Sequence, residues 1–489
     1  MRSWVASGLV FVTSGAVLVL EILAARLLAP YVGVTLETYT AIIATVLAGI
    51  AGGTYVGGRA ADGYDPSRLL GPLLAVGGVL SVLTVPLVRM LGPGAPKGGS
   101  GVLVVTALTF LAPAAVLSAV SPVVVKLLLR DLGRTGEIVG RLSAVGTAGA
   151  IVGTLLAGFV LVEVAATSTS IYAIGGALAV GGVILSITRS GLAGRAAAVL
   201  LVVTVAAVGL GSAAGDPCTA ETTYHCAQIV DDPVRPAGRA LVLDTLRHSY
   251  VDLDDPTHLE FRYIREFAAA VDALAPPGEL TTVHVGGGAL TMARWLAATR
   301  PGSSSAVLEI DAGLVDVVID EFGPPPAGTS IRIGDGRTLL RDVASSSVDV
   351  VFGDAFGGLA VPWHLTTEEA VSDIARVLSD DGIYAVNVID YPPLRFARAE
   401  AATLQAVFAS VLVVTPPPTL AGVEGGNVVL VASKRPLDAA RLSTILSANG
   451  DGDAVIDGAD VTAFVGDAPV LVDDHAPVDQ WLARSTRRD

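Results

Sequence analysis

Apolar residues dominate the first 214 positions of the chain in long uninterrupted runs. A helix needs about 20 consecutive apolar residues to cross the hydrocarbon core of a bilayer. Runs of that length occur seven times, and most charged residues lie between them. The pattern predicts a multi-span membrane bundle over 1–214, with helices at about 5–29, 38–58, 69–91, 102–125, 143–164, 169–188 and 196–214.

Small residues recur every four positions in two of these runs. Gly49, Gly53 and Gly57 share one helix face, and Gly149 and Gly153 share another. Glycine at this spacing lets a neighbouring helix approach closely. We therefore expect a compact bundle and not a set of separate anchors.

The basic residues of the short loops are distributed unevenly between the two sides of the predicted bundle. Cytoplasmic loops of membrane proteins carry an excess of Lys and Arg. With a cytoplasmic N-terminus, only Arg89 and Lys97 fall in outer loops. We therefore expect a multi-pass protein of the cell membrane. Seven spans would place the residues after the last span outside the cytoplasm. The basic residues on or near the cytoplasmic side are Arg59, Arg68, Lys126, Arg130, Arg134, Arg141, Arg189 and Arg195.

The two cysteines of the chain, Cys218 and Cys226, follow the last apolar run. They lie far enough apart to close a small loop, and a disulfide there would persist only in an oxidising compartment. A zinc site is the weaker alternative, because the two thiols and His225 lack a second pair of ligands. We expect a disulfide within a linker over 215–238, and no metal.

From residue 239 onward, short apolar runs alternate with patterns of helical spacing. The runs "RALVLD" and "SYVDLD" predict a small β lead-in, and "HLEFRYIREFAAAVDAL" predicts a helix. The strands and helices that follow alternate, which predicts a mostly parallel sheet covered on both faces, in an α/β domain over 239–489. Ligands of such sheets bind beyond the carboxyl ends of the strands.

A glycine-rich loop lies at the first of these strand ends. Gly286, Gly287 and Gly288 follow the strand "TTVHV" and open a helix. Glycine there permits a tight turn and a close approach of the backbone to a ligand. Glu309 ends the next strand, where a carboxylate can accept hydrogen bonds from both hydroxyls of a ribose.

Two more carboxylates lie at the next two strand ends. Asp335, followed by Gly336, ends the third strand, and Asp354 ends the fourth. With Glu309 they would form an acidic cleft, which suits a nucleoside with a cationic tail and disfavours the pyrophosphate of NAD. The alternative is that Asp335 and Asp354 only cap the helices that follow them.

The charge of the chain adds to this picture. Residues 1–214 carry 12 Lys and Arg against 7 Asp and Glu, whereas the remainder carries 19 against 39. An acidic surface repels phosphate backbones, so we expect no nucleic-acid partner. Such a surface suits a cationic substrate, or serves solubility alone. The expected partners are the lipid bilayer and a small-molecule amine, and the sequence allows a homo-oligomer.

On these motifs the chain resembles the spermidine synthase family, the polyamine aminopropyltransferases, in the form fused to a multi-span membrane region. The resemblance covers about 239–435, and "SGAVLVLEILAARLLAPYVG" is similar to the membrane-fused group. It implies a methyltransferase-like, Rossmann-type domain that follows the β lead-in. It also implies that decarboxylated S-adenosylmethionine, or S-adenosylmethionine itself, is a co-substrate, without a prosthetic group.

The resemblance assigns roles to the candidate site residues. The glycine loop and Glu309 would hold the ribose side of the donor, and Asp335 with Gly336 the adenine side. Asp354 would be the catalytic residue that deprotonates the attacking amine. His248 and Tyr263 would contact the substrate.

Several positions depart from the family pattern. Ala289 replaces an acid of the glycine loop, and Arg265 puts a cation near the predicted path of the amine. A second acid after Asp354 is missing from 355–358. Two alternatives therefore stay open. One is a methyltransferase-like enzyme that uses S-adenosylmethionine on another acceptor, and the other is a non-catalytic membrane protein that binds a polyamine or nucleoside.

Overall fold

The computed structural model describes residues 3–33, 35–96, 99–129, 132–190, 194–355 and 361–485. Lys97, Arg130 and the segment 356–360, on which some predictions rest, lie outside these residues, as do the side chains of Arg189 and Arg195. The chain divides into two compact units, Met1–Cys226 and Ala227–Asp489.

The first unit is built of helices. In the part of the chain that the structure describes, six apolar helical segments are long enough to cross a membrane. They are Ser3–Val32, Leu36–Gly63, Pro66–Gly94, Gly99–Leu128, Thr135–Val164 and Thr167–Thr188. The seventh predicted run is also helical, but its apolar portion over Val202–Ala213 is shorter. The helices are α1 (Ser3–Val32), α2 (Leu36–Gly63), α3 (Pro66–Leu91), α4 (Gly99–Ser118), α5 (Val120–Leu128), α6 (Thr135–Leu156), α7 (Val162–Val164), α8 (Thr167–Ser190) and α9 (Gly194–Ala213).

The predicted glycine faces bring pairs of these helices into close contact. A Cβ atom at Gly53 on α2 would lie 1.9 Å from the carbonyl oxygen of Ala115 on α4. One at Gly149 on α6 would lie 2.1 Å from the carbonyl oxygen of Phe11 on α1. No side chain fits at either position unless the backbone moves, so the predicted close packing is confirmed.

Hydrogen bonds from three helices meet the segment that follows α9. The last part of α1, the last turn of α3 and the first residue of α8 therefore lie at the same end of the unit as the end of α9. Within the described residues, this arrangement is what results if the six long segments and α9 alternate in direction. The bonds run from Arg26 to the carbonyl of Thr222, from Arg89 to the carbonyl of Gly211 and the carboxylate of Asp216, and from the N–H of Thr167 to Glu221.

Cys218 and Cys226 form a disulfide in the same segment, with their Cα atoms 5.2 Å apart. The two sulfur atoms are bonded to each other, so they are not thiolate ligands for a metal. The short strand β1 (Ala220–Glu221) lies inside the loop that the disulfide closes. The segment 215–238, predicted as a linker, thus contains regular structure.

The second unit opens with three antiparallel strands, β2 (Cys226–Asp231), β3 (Gly238–Leu243) and β4 (Leu246–Asp252). The predicted β lead-in is therefore confirmed. Pairing between β3 and β4 skips one residue, because Leu241 pairs with Ser249 while Val242 pairs with Arg247. His248 is the extra residue of this β-bulge, and bulges re-aim the side chains near them.

An eight-stranded sheet forms the centre of the second unit. Five of its strands are parallel, in the order β9-β8-β5-β6-β7, and three antiparallel strands extend one edge in the order β12-β10-β11-β9. The short segment 416–425 joins β10 to β11, which is too little chain for a parallel crossover. The strands are β5 (Thr281–Val285), β6 (Ser304–Glu309), β7 (Thr329–Ile333), β8 (Val348–Gly353), β9 (Leu378–Asp390), β10 (Ser410–Thr415), β11 (Gly426–Ser433) and β12 (Ala454–Ile456).

Helices cover both faces of this sheet, as predicted. One buried apolar cluster joins the sheet to α13, α14, α15, α18 and α19, and another joins the opposite face to α10, α11 and α17. The elements after residue 435 were not predicted. The helices are α10 (Arg262–Leu274), α11 (Thr291–Thr299), α12 (Ala312–Phe322), α13 (Gly336–Leu340), α14 (Glu368–Val377), α15 (Arg395–Val407), α16 (Pro417–Leu420), α17 (Ala439–Asn449), α18 (Gly458–Val465) and α19 (Val478–Ser485).

Candidate active site

The glycine loop follows β5 and touches the end of β8. Gly286 has a φ of +97°, and a Cβ atom there would lie 2.3 Å from the carbonyl oxygen of Asp354. The N–H of Asp354 in turn donates to the carbonyl of Val285 at 2.9 Å. Glycine is needed at 286 both for the backbone conformation and for this approach. The contact places the glycine loop next to the candidate base.

Glu309 ends β6 and is only 8% exposed. One carboxylate oxygen accepts a hydrogen bond from the N–H of Gly287 at 2.8 Å, and the other accepts one from the N–H of Asp311 at 3.0 Å. A carboxylate has about four acceptor positions, so each oxygen retains one for a ligand. Glu309 thus keeps acceptor positions of the kind that the two hydroxyl groups of a ribose would need.

Asp335 caps α13, because its carboxylate accepts a hydrogen bond from the N–H of Thr338 at 2.9 Å. Its second oxygen lies 2.8 Å from Nε2 of His364. Burial raises the pKa of Asp335, but the bonds from Thr338 and His364 outweigh it and lower the pKa overall. Asp335 therefore caps α13, and its carboxylate stays charged beside Gly336.

Asp354 is held by two side chains from separate elements. Tyr263 on α10 donates its hydroxyl to one carboxylate oxygen at 3.0 Å, and the Asn387 amide on β9 donates to the other at 3.0 Å. Burial raises the pKa of Asp354 to about 6, although the bonds from Asn387 and Tyr263 oppose that rise. A carboxyl with this pKa is ionised at neutral pH and still takes up a proton readily, which suits a general base.

The two donors to Asp354 are themselves fixed. Asn427 on β11 donates to the amide oxygen of Asn387 at 2.8 Å, so Asn387 presents its NH₂ group to Asp354. Burial and the charge of Asp354 raise the pKa of Tyr263 well above its usual value. Tyr263 therefore remains a hydrogen-bond donor.

An apolar pocket opens beside the adenine side of the predicted site. About 570 Å³ of space lies in it, which includes open solvent, and its lining includes Gly336, Pro362 and Leu365. Glu400 also lines it, is 1% exposed, and has an elevated pKa because it is buried.

No family model matches the chain. Two curated relatives are polyamine aminopropyltransferases: one from Chromobacterium violaceum is 29% identical over 141 residues, and one from Vibrio vulnificus is 27% identical over 162 residues. The matches cover 28% and 32% of this chain and 53% and 52% of those proteins, so the chain spans about half the length of the curated relatives it matches.

A solved structure, described as a probable spermidine synthase from Corynebacterium glutamicum, matches at 31% sequence identity. The match covers 52% of this chain and 95% of that chain, with a TM-score of 0.49. By its similarity to the curated polyamine aminopropyltransferases, the chain belongs to the spermidine synthase-like family.

Two of the departures from the family pattern, Ala289 and Arg265, can be located in the structure. Ala289 is fully buried, and its N–H donates to the hydroxyl of Ser249 on β4 at 3.1 Å, so an acid there would be desolvated. Arg265, expected near the path of the amine, instead donates to the carboxylate of Asp451 at 2.7 Å. The positions 356–358 lie outside the described residues.

The predicted site residues are therefore brought together in part. Tyr263 and Asp354 are in direct contact, and so are the glycine loop and Glu309. His248 is half-buried at the bulge of β4, next to Ser249.

Several residues of the site were missed. Asn387 and Asn427 are polar positions within apolar strands, and that interruption was the available signal.

Proposed function

We propose that this protein is a membrane-anchored aminopropyltransferase, which moves an aminopropyl group from decarboxylated S-adenosylmethionine to an amine. One observation carries the proposal. Asp354 is a half-buried carboxylate with a pKa of about 6, held by Tyr263 and Asn387 next to the glycine loop. The family relation supports the same reaction class.

The proposed reaction needs a base because an ammonium group has no free electron pair. Asp354 accepts a proton from the ammonium of the acceptor, and the resulting amine attacks the aminopropyl carbon bound to the sulfonium. A carbon–nitrogen bond forms, the carbon–sulfur bond breaks, and its electron pair passes to sulfur. Methylthioadenosine leaves as a neutral thioether, and the proton stays on Asp354 until it passes to solvent.

The donor would bind at the carboxyl ends of the parallel strands in a Rossmann-type manner. Glu309 would accept hydrogen bonds from the ribose hydroxyls, and Asp335 with Gly336 would face the adenine. The charged carboxylates favour a cationic donor over a phosphate-bearing one.

Purified full-length protein in detergent tests this proposal. It would be mixed with an amine and either decarboxylated S-adenosylmethionine or S-adenosylmethionine, and the nucleoside products would be identified by mass spectrometry. The proposal requires methylthioadenosine that forms only with the decarboxylated donor and only when an amine is present. Release of S-adenosylhomocysteine would identify a methyltransferase instead. Binding of methylthioadenosine without turnover would favour the non-catalytic alternative.

The methyltransferase alternative has one observation in its favour. Ala289 offers no acid in the glycine loop, and it is fully buried. S-adenosylmethionine carries a carboxylate beside its amino group, so its tail has no net charge and would not need that acid.

We further propose that the second unit lies outside the cytoplasm. The shared position of the ends of α1, α3 and α9 supports seven crossings, and the Cys218–Cys226 disulfide supports an oxidising compartment. A reporter that is active only in the cytoplasm, fused after Asp489, should be silent. The same reporter fused in the predicted cytoplasmic loop near Arg68 should be active. Activity of the fusion after Asp489 would overturn the orientation.

A further inference from the structure

The start of α10 is tied to a loop near the end of the chain. Arg265 donates to the carboxylate of Asp451 at 2.7 Å, and Arg262 donates to the backbone carbonyl of the same residue. Arg262 also lies 3.4 Å from the carboxylate of Asp453. The two aspartate side chains are 4% and 0% exposed, whereas the arginines are only partly covered.

A third carboxyl group, that of Glu266, is buried where the loop meets α10. Glu266, one helical turn after Arg262, faces the same acids and is 1% exposed. Burial, followed by the charge of Asp453, raises the pKa of Glu266 to about 9, and burial also raises the pKa of Asp453. The groups that face each other here are Arg262, Arg265 and Glu266 on α10 and Asp451 and Asp453 on the loop. An unpaired buried carboxylate is costly, so this loop is held to α10 by its charges.

Tyr263, which lies between these two arginines, contacts the candidate base Asp354. Tyr263 follows Arg262 directly and donates to Asp354. A helix is rigid over one turn, so a shift of Arg262 and Arg265 would carry Tyr263 with it. Contacts through α10 therefore connect the loop to Asp354.

We propose that the loop Asp451–Asp453 is a positioning element for the reaction, because it holds α10 so that Tyr263 donates its hydrogen bond to Asp354. This inference rests on the proposed function for its catalytic meaning, but the contact itself can be tested without turnover. Tyr263 stabilises the ionised form of Asp354. Loosening the loop should therefore make Asp354 harder to ionise.

The test compares two arginines that tie the C-terminal region to opposite ends of α10. Arg265→Ala removes the contact with Asp451 near Tyr263. Arg441→Ala is the matched control, because Arg441 on α17 donates to the carbonyl of Asp272 at the far end of α10. The readout is the pH at which Asp354 ionises. Where the protein turns over, it is obtained from the pH dependence of kcat/KM. Independently of turnover, it is obtained from the pH dependence of stability of each variant against the same variant carrying Asp354→Asn.

Arg265→Ala should move the ionisation of Asp354 upward by roughly 0.5–1 pH unit, in the direction expected for loss of one hydrogen bond. Arg441→Ala should leave it in place. Adding Arg265→Ala to Tyr263→Phe should produce no further shift, because both act through the same bond. If Arg265→Ala does not fold, Arg265→Lys replaces it and should give a smaller shift in the same direction. An unmoved ionisation in the Arg265 variant, with a shift in Tyr263→Phe, would overturn the proposal. If neither the wild type nor any variant turns over, the proposed function is contradicted. The pH dependence of stability then tests the positioning role of the loop by itself.

Discussion

The hydroxyls buried in the helical unit and the carboxylates of the candidate site are held in different ways. In the helical unit the hydroxyls of Thr13, Thr106 and Thr109 donate to carbonyls of their own helices, at 2.9, 2.6 and 2.8 Å. In the α/β unit the carboxylates of Glu309 and Asp354 are held by groups from other segments of the chain.

The difference separates structural polar groups from chemically useful ones. A hydroxyl that donates to a carbonyl of its own helix has a hydrogen-bond partner whatever the helix packs against. A buried carboxylate held across elements depends on tertiary structure, and its pKa changes with each partner. We therefore place the chemistry in the α/β unit, and the following variants can break or sharpen that assignment.

The largest effect is expected at the base. Asp354→Asn keeps the shape of the side chain but removes the proton acceptor. Transfer should slow by about 10²–10⁴-fold, the usual contribution of a positioned general base. Binding of methylthioadenosine, measured by calorimetry, should change little. A variant that retains its turnover would reject Asp354 as the base.

The same substitution should alter stability with pH. Asp354 has a pKa of about 6 in the folded protein, above its ordinary value of 3.8. The wild type therefore has a stability contribution that is fully present below about pH 4 and is lost as the pH rises through 6. The loss amounts to roughly 3 kcal/mol. Relative to the wild type, Asp354→Asn should become more stable between pH 4 and 7 in thermal unfolding of the detergent-solubilised chain. Parallel curves for the two proteins would contradict the raised pKa.

Binding of the nucleoside should depend on Glu309. Glu309→Ala removes an acceptor of charge-assisted hydrogen bonds, which are worth roughly 1.5–3 kcal/mol, so methylthioadenosine should bind about 10–150-fold more weakly. Asp342→Ala, an exposed carboxylate paired with Arg332, is the control and should bind normally. Equal affinity of Glu309→Ala and wild type would remove Glu309 from the site.

The helical unit should respond to volume and not to charge. Gly53→Val should destabilise the protein by about 1–3 kcal/mol or more, since a Cβ atom there meets the backbone of Ala115. Gly52→Val is the matched control, because nothing lies within 4 Å of its Cβ position. Thermal unfolding in detergent would separate the two. Equal melting temperatures for both variants would show that the close packing of α2 against α4 is not needed.

The comparison also explains what could be predicted from the sequence. Glu309, Asp335 and Asp354 were predictable because the alternation of strands and helices places the strand ends, and ligands bind there. Asn387 and Asn427 were not, because their contact depends on the antiparallel pairing of β9 with β11, which the order of elements does not specify. The role of Arg265 was missed for a similar reason. Its partner, Asp451, lies beyond the region of family resemblance.

The pH dependence of kcat/KM tests the central claim most directly, namely that Asp354 is the base of an aminopropyl transfer. Between pH 5 and 8 the amine substrates stay protonated, so a change in rate within that window reports an enzyme group. The rate should rise through about pH 6, and in Tyr263→Phe the rise should move to higher pH, because the bond that favours the ionised carboxylate is lost. A flat profile across this window, or a rise that Tyr263→Phe leaves in place, would contradict the account.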